Sequence, residues 1–291
     1  MSYVFIGKAG DGAWPGALAA AGLPPPAGTG GLAEAAALLA EPGHEFAVVR
    51  LPPEQSAAAA ALALERGLHV FCEPPFCRSV TEYAELLETA ERNGRVFFPA
   101  QPWEHSPAGR ALEKAVTKGL TGEARFAFCR LELDGPPPAD WGASPAAWQA
   151  AALLLGAVRR PPAAVSARLS PGAAALQVQF TGCDGFLHLS AGAPRARLRV
   201  SLSGENGGLE LDGERLRLEP RGGRAEELTL SAAAVPGEAR SAWLAAELAL
   251  FRREIAGEAP RGAGLRNALH CVRLLKGAAA SAATRSSATP L

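Results

Sequence analysis

At 291 residues the chain is long enough for two domains, and with 48% hydrophobic residues it can fill two cores. Its 29 basic residues balance its 29 acidic ones, so nothing marks a nucleic-acid or anionic-membrane footprint. The five cysteines, Cys72, Cys77, Cys129, Cys183 and Cys271, match neither a zinc-site spacing nor a Cys-x-x-Cys pair, which predicts free buried thiols in a reducing cytoplasm and no metal site. No apolar run approaches the roughly 18 residues of a membrane span, and the chain opens directly on a strand, so no leader and no membrane partner are expected.

In chain order, Tyr3-Val4-Phe5-Ile6 reads as a short apolar strand closed by Gly7. A phosphate-cradling turn would read Gly-x-Gly-x-x-Gly, with the backbone free to approach a pyrophosphate at a helix N-terminus. The chain offers Gly7, Gly10 and Gly12 at Gly-x-x-Gly-x-Gly spacing, so a phosphate cradle and a plain strand-to-helix turn are both open. Asp11 would repel a phosphate, Lys8 would offset it, and Trp14-Pro15 is bulky for a close cofactor approach. A second strand ending in Asp, Glu or Arg should read the adenosine ribose about 20 residues after the glycines. Residues 22–32 instead hold three prolines and four glycines with no charge, so the second strand and its helix are expected to be lost or reduced to a connector. A helix over 32–40, a strand over 46–49, a loop at Leu51-Pro52-Pro53 and a helix over 55–66 closed by Gly67 follow.

The stretch 68–99 then reads strand, Glu73-Pro74-Pro75 bend, helix, strand. Ser79 with Glu82 three residues on predicts a capping box, and Gly94 a helix C-terminus. Strands alternating with helices imply a parallel sheet whose ligands sit at the carboxyl ends of the strands, where Glu73 falls. The first domain is expected to end near Gln101 and a second to span 102–291. Ser106-Pro107 predicts a helix to about residue 118. Strand patterns follow at 125–133, 163–169, 175–180, 186–189, 196–202, 209–211, 216–218 and 227–230, with Asp212-Gly213 as a hairpin signal, which together predict a largely antiparallel open sheet. Two helices, 241–255 and 265 to about 280, close the chain, and these last helices are expected to pack back on the core.

The run "AAAALALERGLHVFCEPPFCRSVTEYAELLETAERNGRVFF", and after it "GRALEKAVTKGLTGEARF", resembles the glucose–fructose oxidoreductase/inositol dehydrogenase (Gfo/Idh/MocA) family around its Glu-Lys-Pro signature. The resemblance implies a Rossmann-like domain followed by an α+β domain, an NAD or NADP cofactor, and a catalytic lysine between Glu73 and Pro75; Pro74 occupies that position. It also implies a histidine and an aspartate on a helix near the second sheet. The matching region, "DWGASPAAWQAAALLLGAV", offers no histidine between His105 and His188 and no aspartate between Asp140 and Asp184.

Candidate cofactor contacts carried over by position are Gly7, Gly10, Gly12, Pro52, Glu73 and Pro75, and the remaining acid/base candidates are Glu73 and His105, the latter beside Glu104. His69 and His188 sit in strands and read as structural. A positioned acid/base group is worth about a hundred- to ten-thousand-fold in rate, so losing the lysine and the histidine together predicts a pseudoenzyme that binds a small molecule or a protein partner, with possible loss of the dinucleotide. Two alternatives stay open: an active NAD(P)-dependent oxidoreductase on a sugar, polyol or hydroxy compound, and a purely structural protein. The sheet of the second domain is expected to form a homo-oligomer face, as such sheets do in the family.

Overall fold

The computed structural model describes residues 2–10, 12–235 and 241–291. In chain order its elements are β1 (Tyr3–Gly7), α1 (Trp14–Ala20), β2 (Gly28–Gly30), α2 (Leu32–Leu38), β3 (Phe46–Arg50), α3 (Pro53–Glu65), β4 (His69–Cys72), α4 (Val80–Arg92) and β5 (Phe97–Pro99), then α5 (Pro107–Thr117), β6 (Ala124–Glu132) and α6 (Pro145–Val158). The strands β7 (Pro162–Ser170), β8 (Ala173–Phe180), β9 (Cys183–Ser190), β10 (Arg197–Gly204), β11 (Gly207–Asp212), β12 (Arg215–Pro220) and β13 (Glu226–Thr229) follow, and α7 (Ser241–Ile255), α8 (Leu265–Ala283) and β14 (Thr289–Pro290) end the chain. Two compact units result: Met1–Pro102 with Ala239–Val272, and Trp103–Glu238 with Arg273–Leu291.

The first unit is built on a parallel five-stranded sheet in the order β2-β1-β3-β4-β5. Four of the five residues of β1 and of β3, and all four of β4, are buried, as a parallel sheet covered by helices on both faces requires. On one face Tyr3, Phe5, Phe46, Phe71 and Phe98 form one core with Trp14 of α1 and with Leu244, Leu248 and Phe251 of α7. Phe251 meets Phe46, Phe71 and Phe98 at ring distances of 5.5–5.6 Å. Burying one such ring is worth about 1.5–3 kcal/mol, so α7 is a structural part of this unit although it lies some 140 residues later in sequence than β5.

The expected loss of the second strand is corrected. β2 is present as three residues, Gly28-Thr29-Gly30, paired in parallel with β1, and α2 follows it. It is an edge strand with a single neighbour, which is why the prolines at 24–26 can sit just before it without breaking a ladder. The predicted capping box is offset by one residue. Ser79 Oγ accepts from the Glu82 amide at 3.1 Å, whereas the Glu82 carboxylate accepts from the Arg78 amide at 2.6 Å rather than from Ser79. Asp11, singled out in the first turn, lies outside the described residues.

The second unit carries a nine-stranded sheet in the order β13-β12-β11-β10-β6-β9-β8-β7-β14, antiparallel except for the β6–β9 pair. Its strands alternate buried and exposed positions, as in β8, so one face is packed and the other is polar. The packed face lies against α6, which is buried at twelve of its fourteen positions and whose only buried polar side chain, Gln149, donates to the Ala234 carbonyl at 3.1 Å. The β11–β12 hairpin turns one residue later than the Asp-Gly signal. Asp212 pairs with Arg215, and Gly213, at φ 61°, opens the two-residue loop. At the sheet edges, β14 pairs with β7, while β13 is exposed along its whole length.

Candidate functional site

In an open parallel sheet a ligand site is expected outside the carboxyl ends of the strands, where the strand order reverses. Here the chain runs from β1 out to β2 and then returns to β3 on the other side of β1, so that point lies between β1 and β3. Three side chains from separate segments converge there. Arg50 is the last residue of β3 and Glu73 follows directly on β4. The Arg50 Nε lies 3.1 Å from Glu73 Oε2, and the Trp14 indole, at the start of α1, donates from Nε1 to Glu73 Oε1 at 2.9 Å. Both carboxylate oxygens of Glu73 are therefore engaged.

Trp14 itself is 1% exposed and stands edge-on to Phe5 and Phe71, at ring distances of 5.0 and 5.8 Å. Arg50 also donates from Nη1 to the Lys8 carbonyl at 2.9 Å, which ties the turn after β1 to the end of β3. Burial pushes the Glu73 carboxyl above its ordinary pKa, and the Arg50 charge and the bonds from Trp14 and Arg50 pull it back only in part. The adjoining Pro74–Pro75 peptide bond is cis.

The glycine turn does not read as a phosphate cradle. Gly7 sits at φ 134°, and a Cβ there would meet the Arg50 carbonyl oxygen at 2.2 Å, so the β3 backbone by itself demands glycine. At Gly10 and Gly12 nothing lies within 4 Å of where a Cβ would be. A pyrophosphate needs backbone N–H groups aimed at it. In this turn the Lys8 carbonyl is taken by Arg50, Pro15 withholds an amide at the first turn of α1, and the Trp14 ring at the helix start is packed into the core. Among the described residues, the engaged Lys8 carbonyl, the missing Pro15 amide and the buried Trp14 ring count against a pyrophosphate seat at this turn, while Gly10 and Gly12 leave space beside it.

Of the remaining predicted contacts, Pro52 is the N-cap residue of α3, in the loop after β3, and Pro75 lies two residues beyond Glu73. His105 closes the short 3-10 helix Pro102–His105 and belongs to the other compact unit. His69 in β4 is 6% exposed, and its Nδ1 accepts from the Val96 amide at 2.9 Å. Burial first, then the charges of Arg95 and Arg261, lower its pKa to about 4, so it is held neutral. His188 lies in β9, paired with Arg130 of β6 and Ala175 of β8. All five cysteines are buried and free, and burial raises the thiols of Cys72, Cys77, Cys129 and Cys183. Sequence reasoning noted Trp14 only for its bulk and passed over Arg50. A charged residue ending an otherwise apolar strand, opposite another at the next strand end, was the available signal.

Residues 27–101 match the family model described as an oxidoreductase family with an NAD-binding Rossmann fold, Gfo/Idh/MocA. An uncharacterized oxidoreductase of Rhizobium meliloti is 31% identical over 100 residues, a stretch that covers 33% of this chain and only 30% of that protein. Among solved structures, a levoglucosan dehydrogenase in complex with NADH superposes with a TM-score of 0.82 at 16% identity, over 99% of this chain and 98% of that one. An aldose–aldose oxidoreductase from Caulobacter crescentus gives 0.76 at 16% identity, over 100% and 99%. At such identities these two structures show the shared fold alone. Among the described residues no helix is long and apolar enough to cross a membrane.

Proposed function

We propose that this chain is a member of the Gfo/Idh/MocA oxidoreductase family that has left the family's hydride-transfer chemistry and acts as a binding or partner protein on that fold. One observation carries this reading. Glu73, the carboxyl group at the strand end where the chemistry would be placed, has both oxygens committed to Arg50 and Trp14, and its neighbour is Pro74 in place of a lysine. A proton-transfer group must reach the reacting atom within hydrogen-bond distance, and a proline offers no titratable group at all. The second unit supports the same reading, because α6 is apolar along its buried length apart from Gln149.

A second reading is an active NAD(P)-dependent oxidoreductase on a small sugar, polyol or hydroxy compound, with Glu73 and His105 in rearranged roles. The raised pKa of Glu73 favours it, because catalytic carboxyls are commonly tuned this way by burial. The experiment is an absorbance assay at 340 nm with each nicotinamide nucleotide against a panel of sugars and polyols. The expected result is no turnover. Turnover abolished by Glu73→Gln would establish the second reading instead.

The partner that the fold best accommodates is a second copy of the chain, docked on the polar face of the nine-stranded sheet in a reducing cytoplasm. Phe126, 40% exposed and 5.7 Å from Phe186, stands on that sheet among the Arg130–Glu132, Arg197–Asp212 and Arg217–Glu219 pairs, so aromatic surface and both signs of charge are offered together. Light scattering on a size-exclusion column tests this; a monomer at all concentrations would refute it.

A further inference from the structure

We infer that the crevice at the carboxyl ends of β1, β3 and β4 has become a structural lock, filled by Trp14, Arg50 and Glu73, in place of a dinucleotide site. A crevice kept open for a cofactor leaves its donors unpaired until the ligand arrives and is commonly bought at a cost in stability. Here the donors and acceptors are already matched to one another. Arg50 gives Nε to Glu73 and Nη1 to the Lys8 carbonyl, and Trp14 gives Nε1 to the remaining Glu73 oxygen. These bonds link the turn after β1, the start of α1, the end of β3 and the end of β4.

The same elements are secured from behind. Ser241 Oγ of α7 donates to the Ala13 carbonyl at 3.0 Å, just ahead of Trp14, and a Cβ on Gly16 would meet that Ser241 Oγ at 2.5 Å. The start of α1 is therefore held closely on α7, and the indole has no free side toward which it can swing without breaking aromatic contacts to Phe5 or Phe71. On this proposal a dinucleotide seated between the ends of β1, β3 and β4 competes with the Arg50–Glu73 pair and its bond from Trp14 for the same polar groups.

The lock goes beyond the loss of catalysis, because a chain without turnover can still bind a nucleotide. It is tested on the full chain by thermal unfolding and calorimetric titration with NAD⁺, NADH, NADP⁺ and NADPH up to about 1 mM, the weak end of useful affinity. The expected result is no saturable heat and no rise in Tm with any of the four. Saturable binding below that concentration overturns the lock, and does so without touching the assay for turnover.

The same unfolding assay reads the lock itself. Arg50→Met takes the cation from a Glu73 carboxylate that is only a quarter exposed, and should lower Tm by roughly 4–5 °C. Adding Glu73→Gln should restore most of that loss, since the pair is coupled and removing both charges leaves neither unpaired. An Arg50→Met chain that fails to fold while the double variant folds gives the same answer. Trp14→Phe, which keeps the ring and removes only the Nε1 donor, should cost a smaller drop of roughly 2–4 °C. Wild-type stability in both Arg50→Met and Trp14→Phe, or a double variant no better than Arg50→Met, would overturn the lock.

Discussion

Ion pairs occur in two settings in this molecule, and the difference between them is one of connection more than of exposure, since Arg50 and Glu73 are about as exposed, at 33% and 24%, as Arg197 and Asp212, at 40% and 25%. Along the outer face of the nine-stranded sheet, charges are paired across or along strands, as in Arg197–Asp212 at 2.6 Å, Arg130–Glu132 at 2.9 Å and Arg217–Glu219 at 2.7 Å, with water on one side throughout. In the parallel sheet the strands are apolar and buried, and charge appears where a strand ends, at Arg50 and Glu73. A pair on a wet face contributes little because water screens it and either partner can be solvated alone. The Arg50–Glu73 pair is also bonded to Trp14 and to the Lys8 carbonyl, so removing either member unties several segments at once. The same chemistry is therefore interchangeable in one unit and committed in the other.

The sharpest way to break this comparison is to remove the apolar surroundings of the parallel sheet. Phe251→Ala deletes a ring packed on Phe46, Phe71 and Phe98 and should cost about 3–5 kcal/mol in urea unfolding. Phe126→Ala on the open face should change monomer stability by less than about 0.5 kcal/mol, while reducing the solution mass if the chain self-associates there.

Acid provides an intermediate effect in the first unit. The folded pKa of His69 is depressed to about 4 against an ordinary 6.5, so the unfolded chain takes up the proton first. Its contribution is complete above pH 6.5 and is lost as pH falls toward 4, about 2 kcal/mol by pH 4.5. The difference in urea midpoint between wild type and His69→Gln, compared at pH 7.5 and 4.5, isolates this contribution from the carboxyl groups that titrate in the same range.

The smallest effect belongs to the outer sheet. Arg197 and Arg199 hold the Asp212 carboxyl below its usual range, yet Asp212→Asn should cost less than about 1 kcal/mol, and nothing measurable in 1 M salt. A loss as large as that of Arg50→Met would abolish the contrast between the two settings.

Much of the fold was readable because local signals and long-range packing agree. Ser79, Gly94 and the apolar strand at 69–72 mark their elements from within a few residues, and α4 runs from Val80 to Arg92 as its caps require. β2 was unreadable for the opposite reason, since Gly-Thr-Gly has no side-chain pattern and becomes a strand only by lying against β1. In the candidate site Glu73 was legible as the residue at a strand end. Its partners were not, because Trp14 is 59 residues away and the bond between them depends on how α1 seats against β1 and β4. Spacing rules for glycines describe a turn that could hold phosphate; they say nothing of a carbonyl such as that of Lys8 being turned inward.

The two margins of the nine-stranded sheet meet other proteins on unequal terms. β14 occupies the margin at β7, and Leu291 adds one further bond to the Ala163 carbonyl at 3.0 Å, so a foreign strand arriving there finds the place taken. Among the described residues no strand pairs with the outer side of β13, and its Glu226-Glu227 pair places two like charges against any chain that attempts to add to it. Neutralising those two glutamates would turn a guarded border into a template, and polymerisation from that side is the failure that such a variant should be screened for.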